Sequence, residues 1–311
     1  MCSCIPALIK GEETTERIWQ RHGKNGLFGA SRSGIDRDGF VTYASEMKQS
    51  IGKSLIVLVL AGCLGSVSLF AREKIPAPKP GEQRIELADG RVYVGQVKQG
   101  KMSGKGQLIY PDGAHYNGEF LDGMRHGQGF HRFADGSTYK GAFVRGKSEG
   151  EGVLDMKGIF AITGSFKNGA AHGMGVKVYP NGDRFEGKFR GNLHIDGTYT
   201  WANGDQYVGP HDGHKPSGKG VRTYASGDVY RGEFKRGELH GKGTYTYADK
   251  TVYTGEFVKG MMEGQGRMQY PDRSKYEGGF KQDQFHGEGV FTQANGVRIE
   301  GQFKNGAFVG E

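Results

Sequence analysis

From residue 93 onward, apolar and polar positions alternate in short bursts, and the same burst returns about every 23 residues. Its clearest copy reads Tyr116-Asn117-Gly118-Glu119-Phe120, then Gly123, His126-Gly127-Gln128-Gly129 and Phe133-Ala134-Asp135-Gly136. Period-two alternation marks a half-buried β-strand, which places Tyr116, Gly118 and Phe120 on one face and Asn117 and Glu119 on the other. Gly127, Gly129 and Phe133 share a parity in the second half. Each copy therefore predicts two short strands joined by a turn near Gly123, and the array predicts essentially no helix.

The residue opening each copy falls at Tyr93, Tyr116, Tyr139, Ile162, Phe185, Tyr207, Tyr230, Tyr253, Tyr276 and Ile299, with one interval of 22 between Phe185 and Tyr207. So strict a period means a stacked array rather than a globular core, and it favours binding along a long surface over a buried catalytic pocket. Paired glycines leave room for aromatic rings on their face, so aromatic packing down the array replaces a conventional core. The column holding Phe120 and Phe143 is apolar throughout except at His211. Asp112-Gly113, Asp135-Gly136 and Asn181-Gly182 predict tight turns between copies, whereas Asp249-Lys250 and Asp272-Arg273 predict turns of another type. The weakest joint is expected over Phe185–Gly220. There a residue is missing between Phe189 and Gly191, Ile195 replaces a glycine, and Pro210 cannot donate to a ladder.

This phrase, repeated in register over roughly the last two-thirds of the chain from about residue 86, resembles the MORN repeat (membrane occupation and recognition nexus). The resemblance implies an all-β fold: an elongated, single-layer, twisted antiparallel sheet of about ten consecutive hairpins. Its structural repeat positions are then Tyr116, Gly118, Phe120, Gly127, Gly129, Tyr139, Gly141, Phe143, Tyr230, Gly232, Phe234, Tyr253, Gly255 and Phe257. Members of that family serve as scaffolds, as membrane-contact proteins and as parts of enzymes whose chemistry lies in other domains.

Composition agrees with an array: 56 glycines and a hydrophobic fraction of 35% are too sparse for two ordinary cores. The formal charge is +8, but residues 86–311 hold 30 Lys/Arg against 26 Asp/Glu, with both signs interleaved along the sequence. No concentrated basic face is visible in that linear pattern, so nucleic acid is not expected as a partner.

The first third differs. Residues 1–46 lack periodicity and are expected to lie upstream of the true start, Met47, or to be disordered. Residues 47–62 resemble a signal peptide, with a basic flank at Lys48 and Lys53 and an apolar stretch from Leu55 to Leu60. Leu60-Ala61-Gly62-Cys63 resembles the lipobox of bacterial lipoproteins, which implies lipidation of Cys63 and cleavage behind Gly62. Because Leu64 rather than Asp follows, the resemblance implies the outer membrane in a diderm bacterium. The alternative is a single-pass anchor formed by the charge-free run 54–71, short for a bilayer. Residues 63–85, Pro-rich over Pro76–Gly81, are expected to be an extended linker.

Within the array no catalytic signature stands out, and neither cofactor nor metal is expected. His126, His172, His194, His240 and His286 recur before the second glycine pair and are read as turn residues. Equivalent positions in successive hairpins sit ~10 Å apart, too far to share an ion. Glu119, Glu233 and Glu256 are read as solvated strand positions. Gly213–Gly220 is close to a phosphate-binding loop but lacks the final Ser/Thr and a following helix. The chain is thus expected to be a non-enzymatic, membrane-tethered scaffold for protein partners, the alternative being binding of anionic phospholipid head groups by the array. The last strand, with Phe303, Phe308 and Val309, is expected to be an unprotected edge open to self-association or to the partner.

Overall fold

The computed structural model describes residues 75–310, which lie within a compact unit spanning Arg72–Glu311. Expectations for the signal-like run and for Cys63 fall outside the described residues. All regular structure among those residues is β: twenty-two strands, from Gln83–Glu86 to Ala307–Gly310, in one open antiparallel sheet. Strands consecutive in sequence are neighbours in space. The sheet starts earlier than the sequence indicated, because Gln83–Glu86 pairs with Val92–Lys98 inside the stretch assigned to the linker.

A representative hairpin pairs the seven-residue strand His115–Leu121 with the nine-residue strand Met124–Arg132. Its turn, Asp122-Gly123, has φ of 50° and 85° at the two central residues, the left-handed geometry that matches strand twist. Most such turns also hang on the preceding hairpin. The Gly123 amide donates to the Met102 carbonyl at 2.9 Å, and Gly146 to Arg125 and Gly260 to Leu239 likewise.

The turns between hairpins are built differently. Gly113 (φ 88°) donates to the Tyr110 carbonyl at 3.1 Å, and the Asp112 carboxylate accepts the Ala114 amide at 3.0 Å. Only the glycine is left-handed, so Asp-Gly here ends an ordinary turn rather than forming the doubly left-handed hairpin turn predicted from sequence. The expectation for Asp249-Lys250 and Asp272-Arg273 is also corrected. Lys250 (φ 75°) and Arg273 (φ 73°) make the same bonds, to Tyr247 and Tyr270 at 3.0 Å, in the same turn without glycine.

The two extra residues of the second strand form a bulge. Gly118 faces Gly129, but Glu119 faces His126, leaving Gly127 and Gln128 unpaired on that side. Gly127 is left-handed (φ 58°), and the Glu119 carboxylate lies over it, accepting the Gln128 amide at 3.3 Å. Gly127 therefore does not make room for a ring, as its parity implied, and Glu119 is not simply solvated. Gln96 plays the same part in the first hairpin, accepting the Lys105 amide at 3.1 Å.

Gly118 and Gly129 do form the expected floor for an aromatic ring. The Tyr116 ring lies across them, and a Cβ on Gly129 would come 2.5 Å from its Cζ. Most opening rings then meet two phenylalanines edge-on. Tyr116 contacts Phe120 at 5.2 Å and Phe143 at 5.0 Å, Tyr139 contacts Phe143 and Phe166 at 5.1 Å, and Tyr253 contacts Phe257 and Phe280 at 5.1 and 4.8 Å. This zigzag of edge-to-face pairs runs along one face and is the core; Ile162, fully buried, substitutes an aliphatic rung.

The core divides into two clusters, one ending at Phe185 and Phe189 and the other beginning at Tyr207. The division falls at the joint predicted as weakest, although the missing residue is not in the turn. Lys188 faces Asp196 and Phe189 faces His194, so only one residue is skipped where other hairpins skip two. The deletion has contracted the bulge, removing the counterpart of Gly127. It also shifts parity: His194 belongs to the core-facing column of Ala171 and Leu239 and is fully buried. His126, His172, His240 and His286 lie within strands, not in turns.

Lys250 and Arg273 hold a conformation costing a non-glycine residue about 1–2 kcal/mol, against which glycine's extra freedom in the unfolded chain offsets about 0.5–1 kcal/mol. Lys250→Gly and Arg273→Gly are each expected to stabilise the array by about 0.5–1 kcal/mol, read as a rise in urea midpoint at constant slope.

Candidate functional site

The repeat positions named from sequence converge on one device. Above the glycine pair, the Tyr116 hydroxyl reaches the mouth of the bulge, 3.0 Å from the Glu119 carbonyl and 3.3 Å from that of His126. Tyr230 does the same with Glu233 and His240, and Tyr207 with Pro210 and Ser217. Tyr139 and Tyr253 each reach the first of the two carbonyls, at 3.3 and 3.0 Å. The hydroxyl thus donates to carbonyls at the point where the bulge interrupts the ladder. Burial pushes the Tyr93, Tyr116 and Tyr207 hydroxyls up to about 12, so they stay protonated donors at any ordinary pH. Gly141, Gly232 and Gly255, with Phe143, Phe234 and Phe257, occupy the equivalent floor and ring positions; the phenylalanines are buried. These residues are structural, and the surface available to a partner lies elsewhere.

Of the terminal residues, Phe303 is buried edge-on against Tyr276 at 5.0 Å, and Phe308 packs on Phe303 at 5.4 Å. Their rings belong to the core, while the last strand, Ala307–Gly310, pairs on one side only, with Arg298–Lys304, and Val309 remains exposed.

The loop edge of the sheet holds a set of contacts that sequence reasoning missed. Asp183 accepts the Ala202 amide of the next loop at 2.8 Å and the Tyr199 hydroxyl at 2.8 Å. Asp205 takes the Ala225 amide and the Arg222 guanidinium, both at 2.9 Å, and Asp228 the Ala248 amide at 2.8 Å and the Tyr245 hydroxyl at 3.0 Å. Burial works against charge on Asp183 and Asp205, but these hydrogen bonds outweigh it and hold both carboxyls below their usual range. The signal was visible: Asn181-Gly182-Asp183, Asn203-Gly204-Asp205 and Ser226-Gly227-Asp228 recur in three successive copies. Arg222 is further sandwiched between Trp201 and Tyr224, at 4.7 and 4.5 Å from the ring centres.

The opposite edge is the row of hairpin tips. Ten tips of four residues, from 98–101 to 304–307, together carry twelve Lys/Arg and four Asp/Glu, whereas residues 86–311 as a whole are nearly balanced. All twelve cations are exposed, and exposed Leu121, Met124, Val144, Leu193 and Val258 stand among them. The loops between hairpins lean the other way, with Asp112, Asp135, Asp183, Asp205, Asp228, Asp249 and Asp272 against Lys157, Lys250 and Arg273. Charges that alternate along the sequence are therefore sorted by the fold onto opposite edges.

Among the described residues, no group of three or more histidine, cysteine or acidic side chains is disposed to hold a metal ion. Nor is any helix of those residues long and apolar enough to cross a membrane.

The family comparison agrees with this architecture. The MORN repeat profile matches nine segments: 93–115, 116–138, 139–156, 163–184, 185–206, 213–229, 230–252, 253–275 and 276–298. These cover more than half of the sequence, and the chain belongs to the MORN repeat family. The profile skips residues 157–162 and 207–212 and does not extend to the tenth hairpin, Arg298–Lys304 with Ala307–Gly310. No curated protein matches the chain significantly. Among solved structures, the TCP10 domain of Danio rerio CPAP in complex with a STIL peptide is similar at 12% identity and TM-score 0.38, over 71% of this chain and 99% of that one. The SAS-4 TCP domain of Drosophila melanogaster, with a proline-rich motif of Ana2, is similar at 12% identity and TM-score 0.29, over 73% and 96%. A catalytically inactive virginiamycin B lyase of Staphylococcus aureus gives 13% identity and TM-score 0.15, over 71% and 84%.

Gly129→Ala is expected to destabilise the array by about 1–3 kcal/mol through overpacking against Tyr116. In a double-mutant cycle with Tyr116→Ala, most of that cost should disappear, because the ring it strikes is gone. Additive losses in the urea midpoint would contradict the assigned contact.

Proposed function

We propose that this protein is a non-enzymatic scaffold, tethered to a bacterial membrane through its N-terminal segment, that binds acidic protein surfaces along its row of hairpin tips. The observation that carries the reading is the sorting of charge: twelve cations against four acids on one edge, interspersed with exposed aliphatic side chains. The aromatic side chains of the ladder are spent on holding the sheet together. The tip edge, by contrast, offers long-range attraction together with apolar contact, the combination that association between proteins uses. Tethering rests on the lipobox resemblance at Cys63.

The same edge supports a second reading, binding of anionic phospholipid head groups. Interleaved charges along the sequence argued for weak attraction, but a row of cations with protruding Leu121, Met124 and Val144 is suited to an acidic membrane surface.

Expressed from Met47 in a bacterium, the protein is expected to carry acyl chains on Cys63 by mass spectrometry and to fractionate with membranes. Cys63→Ala should abolish both; an intact peptide spanning Ala61–Val67 in the mature protein would contradict the anchor. For the binding surface, the Cys63→Ala chain is compared with one also carrying Lys98→Glu, Lys101→Glu, Arg145→Glu and Lys147→Glu. Loss of the co-purifying envelope proteins in the reversed chain supports the scaffold reading, and an unchanged set removes it. Flotation of the Cys63→Ala chain with phosphatidylserine vesicles at low salt, lost at high salt and on charge reversal, would instead favour the lipid reading.

A further inference from the structure

At the contracted joint three histidines from adjacent elements meet. His194, 0% exposed, stacks flat on Phe185 with ring centres 3.8 Å apart, and neither ring nitrogen has a hydrogen-bond partner. His211 contacts it edge-on at 5.7 Å; its Nδ1–H donates to the Gly209 carbonyl at 3.0 Å while Nε2 is buried without a partner. His214, at the surface, closes on His194 at 4.5 Å. In the equivalent columns other hairpins place Phe285, stacked on Tyr276 at 3.8 Å, and the phenylalanines of the ladder. His211 thus occupies a position that the array otherwise fills with Phe or Val97, and the column of His194 holds Ala171, Leu239, Met262 and Phe285 in other hairpins.

The surroundings give little to balance a proton. From Ala170–Val178 comes Lys177, itself a cation, buried with its ammonium 3.9 Å from the Phe160 ring centre and 4.9 Å from that of Tyr179. From Arg184–Arg190 come only Phe185 and Phe189, since Arg184, Glu186, Lys188 and Arg190 alternate onto the other face. His194's own strand supplies Asp196, which acts on His211, and Tyr199, whose hydroxyl is already given to Asp183. The backbone is also weakest here. The bulge has lost a residue, Pro210 and Pro216 supply no amides, and the two-residue strand Lys215–Pro216 breaks the run of long strands.

We propose that this joint is an acid-sensitive hinge: protonation of His194 and His211 opens the sheet between its two aromatic clusters while the hairpins on either side stay folded. Burial, then the neighbouring His214, His211 and Lys177, pushes His194 down to about 3, and burial lowers His211 and His214 as well. The closed joint therefore binds fewer protons than the open one. Its stability is complete above the ordinary histidine value near 6.5 and is lost as pH falls below it. His131, pushed down to about 4 by burial and by Arg125, is a second acid-sensitive ring, but its Nδ1 is engaged by the Arg125 guanidinium at 3.1 Å and it lies within the unbroken first cluster.

The test is hydrogen–deuterium exchange of the full chain at about pH 7 and about pH 5, corrected for intrinsic exchange. The opening equilibrium of peptides within 185–217 is expected to rise roughly 25-fold from His194 alone, with the hairpins from Tyr230 to Phe280 unchanged. His194→Phe/His211→Phe, which places the stacked ring found at Phe285 and the ladder phenylalanine at these two positions, should remove the response; His194→Phe alone should remove most of it. Unchanged exchange in 185–217 of the wild-type chain, an equal rise over 230–280, or a response persisting in a folded variant would each overturn the hinge.

Discussion

One contact recurs along the sheet: an aromatic ring lying flat on a pair of facing glycines, with its hydroxyl serving carbonyls at a bulge. Where the bulge interrupts the ladder, a buried carbonyl left without a donor would carry a penalty of about 1–3 kcal/mol. Tyr116 donates to carbonyls there at the cost of admitting no side chain at Gly118 or Gly129. Once the ring lies there, its edges and face are available to Phe120 and Phe143, which couples one hairpin to the next. A single sheet with no second layer can thus bury a core, because the rings of one face cover one another.

The spacing of openers, the strand alternation and the aromatic column were legible because each repeats ten times, and repetition separates a signal from chance. What stayed hidden depends on conformation rather than composition. Gly127 has the same parity as Gly129, yet one is left-handed at a bulge and the other extended beneath a ring. Parity cannot distinguish them. Lys250 and Arg273 gave no sign that a cationic residue occupies a glycine conformation, since the hydrogen bonds that enforce it come from the surrounding loop. The missing residue at the joint was countable but not locatable: an interval of 22 does not say which strand lost it, and misplacing it grouped His194 with residues read as turns instead of with the buried column. At the last strand the backbone edge was legible but the packing of Phe303 and Phe308 into the core was not, because an edge of backbone does not imply an edge of side chains.

Electrostatics is where the fold changes the reading most. Sequence order interleaves acids and bases, so residues 86–311 as a whole are nearly balanced and the sorting is hidden. Folding into hairpins sends each turn to one edge and each connection to the other, and cations collect at the tips while aspartates collect at the loops. The aspartates are not idle there. Asp183, Asp205 and Asp228 each reach forward to an amide of the next loop, so the acidic edge is also the edge where successive repeats are stitched. Altering charge on the two edges therefore has different meanings. At the tips it changes what the protein attracts, and at the loops it changes whether the repeats stay in register.

The amide that most turns extend to the preceding hairpin has a kinetic meaning as well. Gly123 reaches back to Met102 and Gly146 to Arg125, and the remaining pairings join strands adjacent in sequence. No part of the sheet waits for a distant segment of chain, so loop-closure entropy stays small and relative contact order is low for an all-β protein. During synthesis each hairpin can dock on the one before it as it emerges, and the growing edge is covered by the next repeat instead of by a neighbouring molecule.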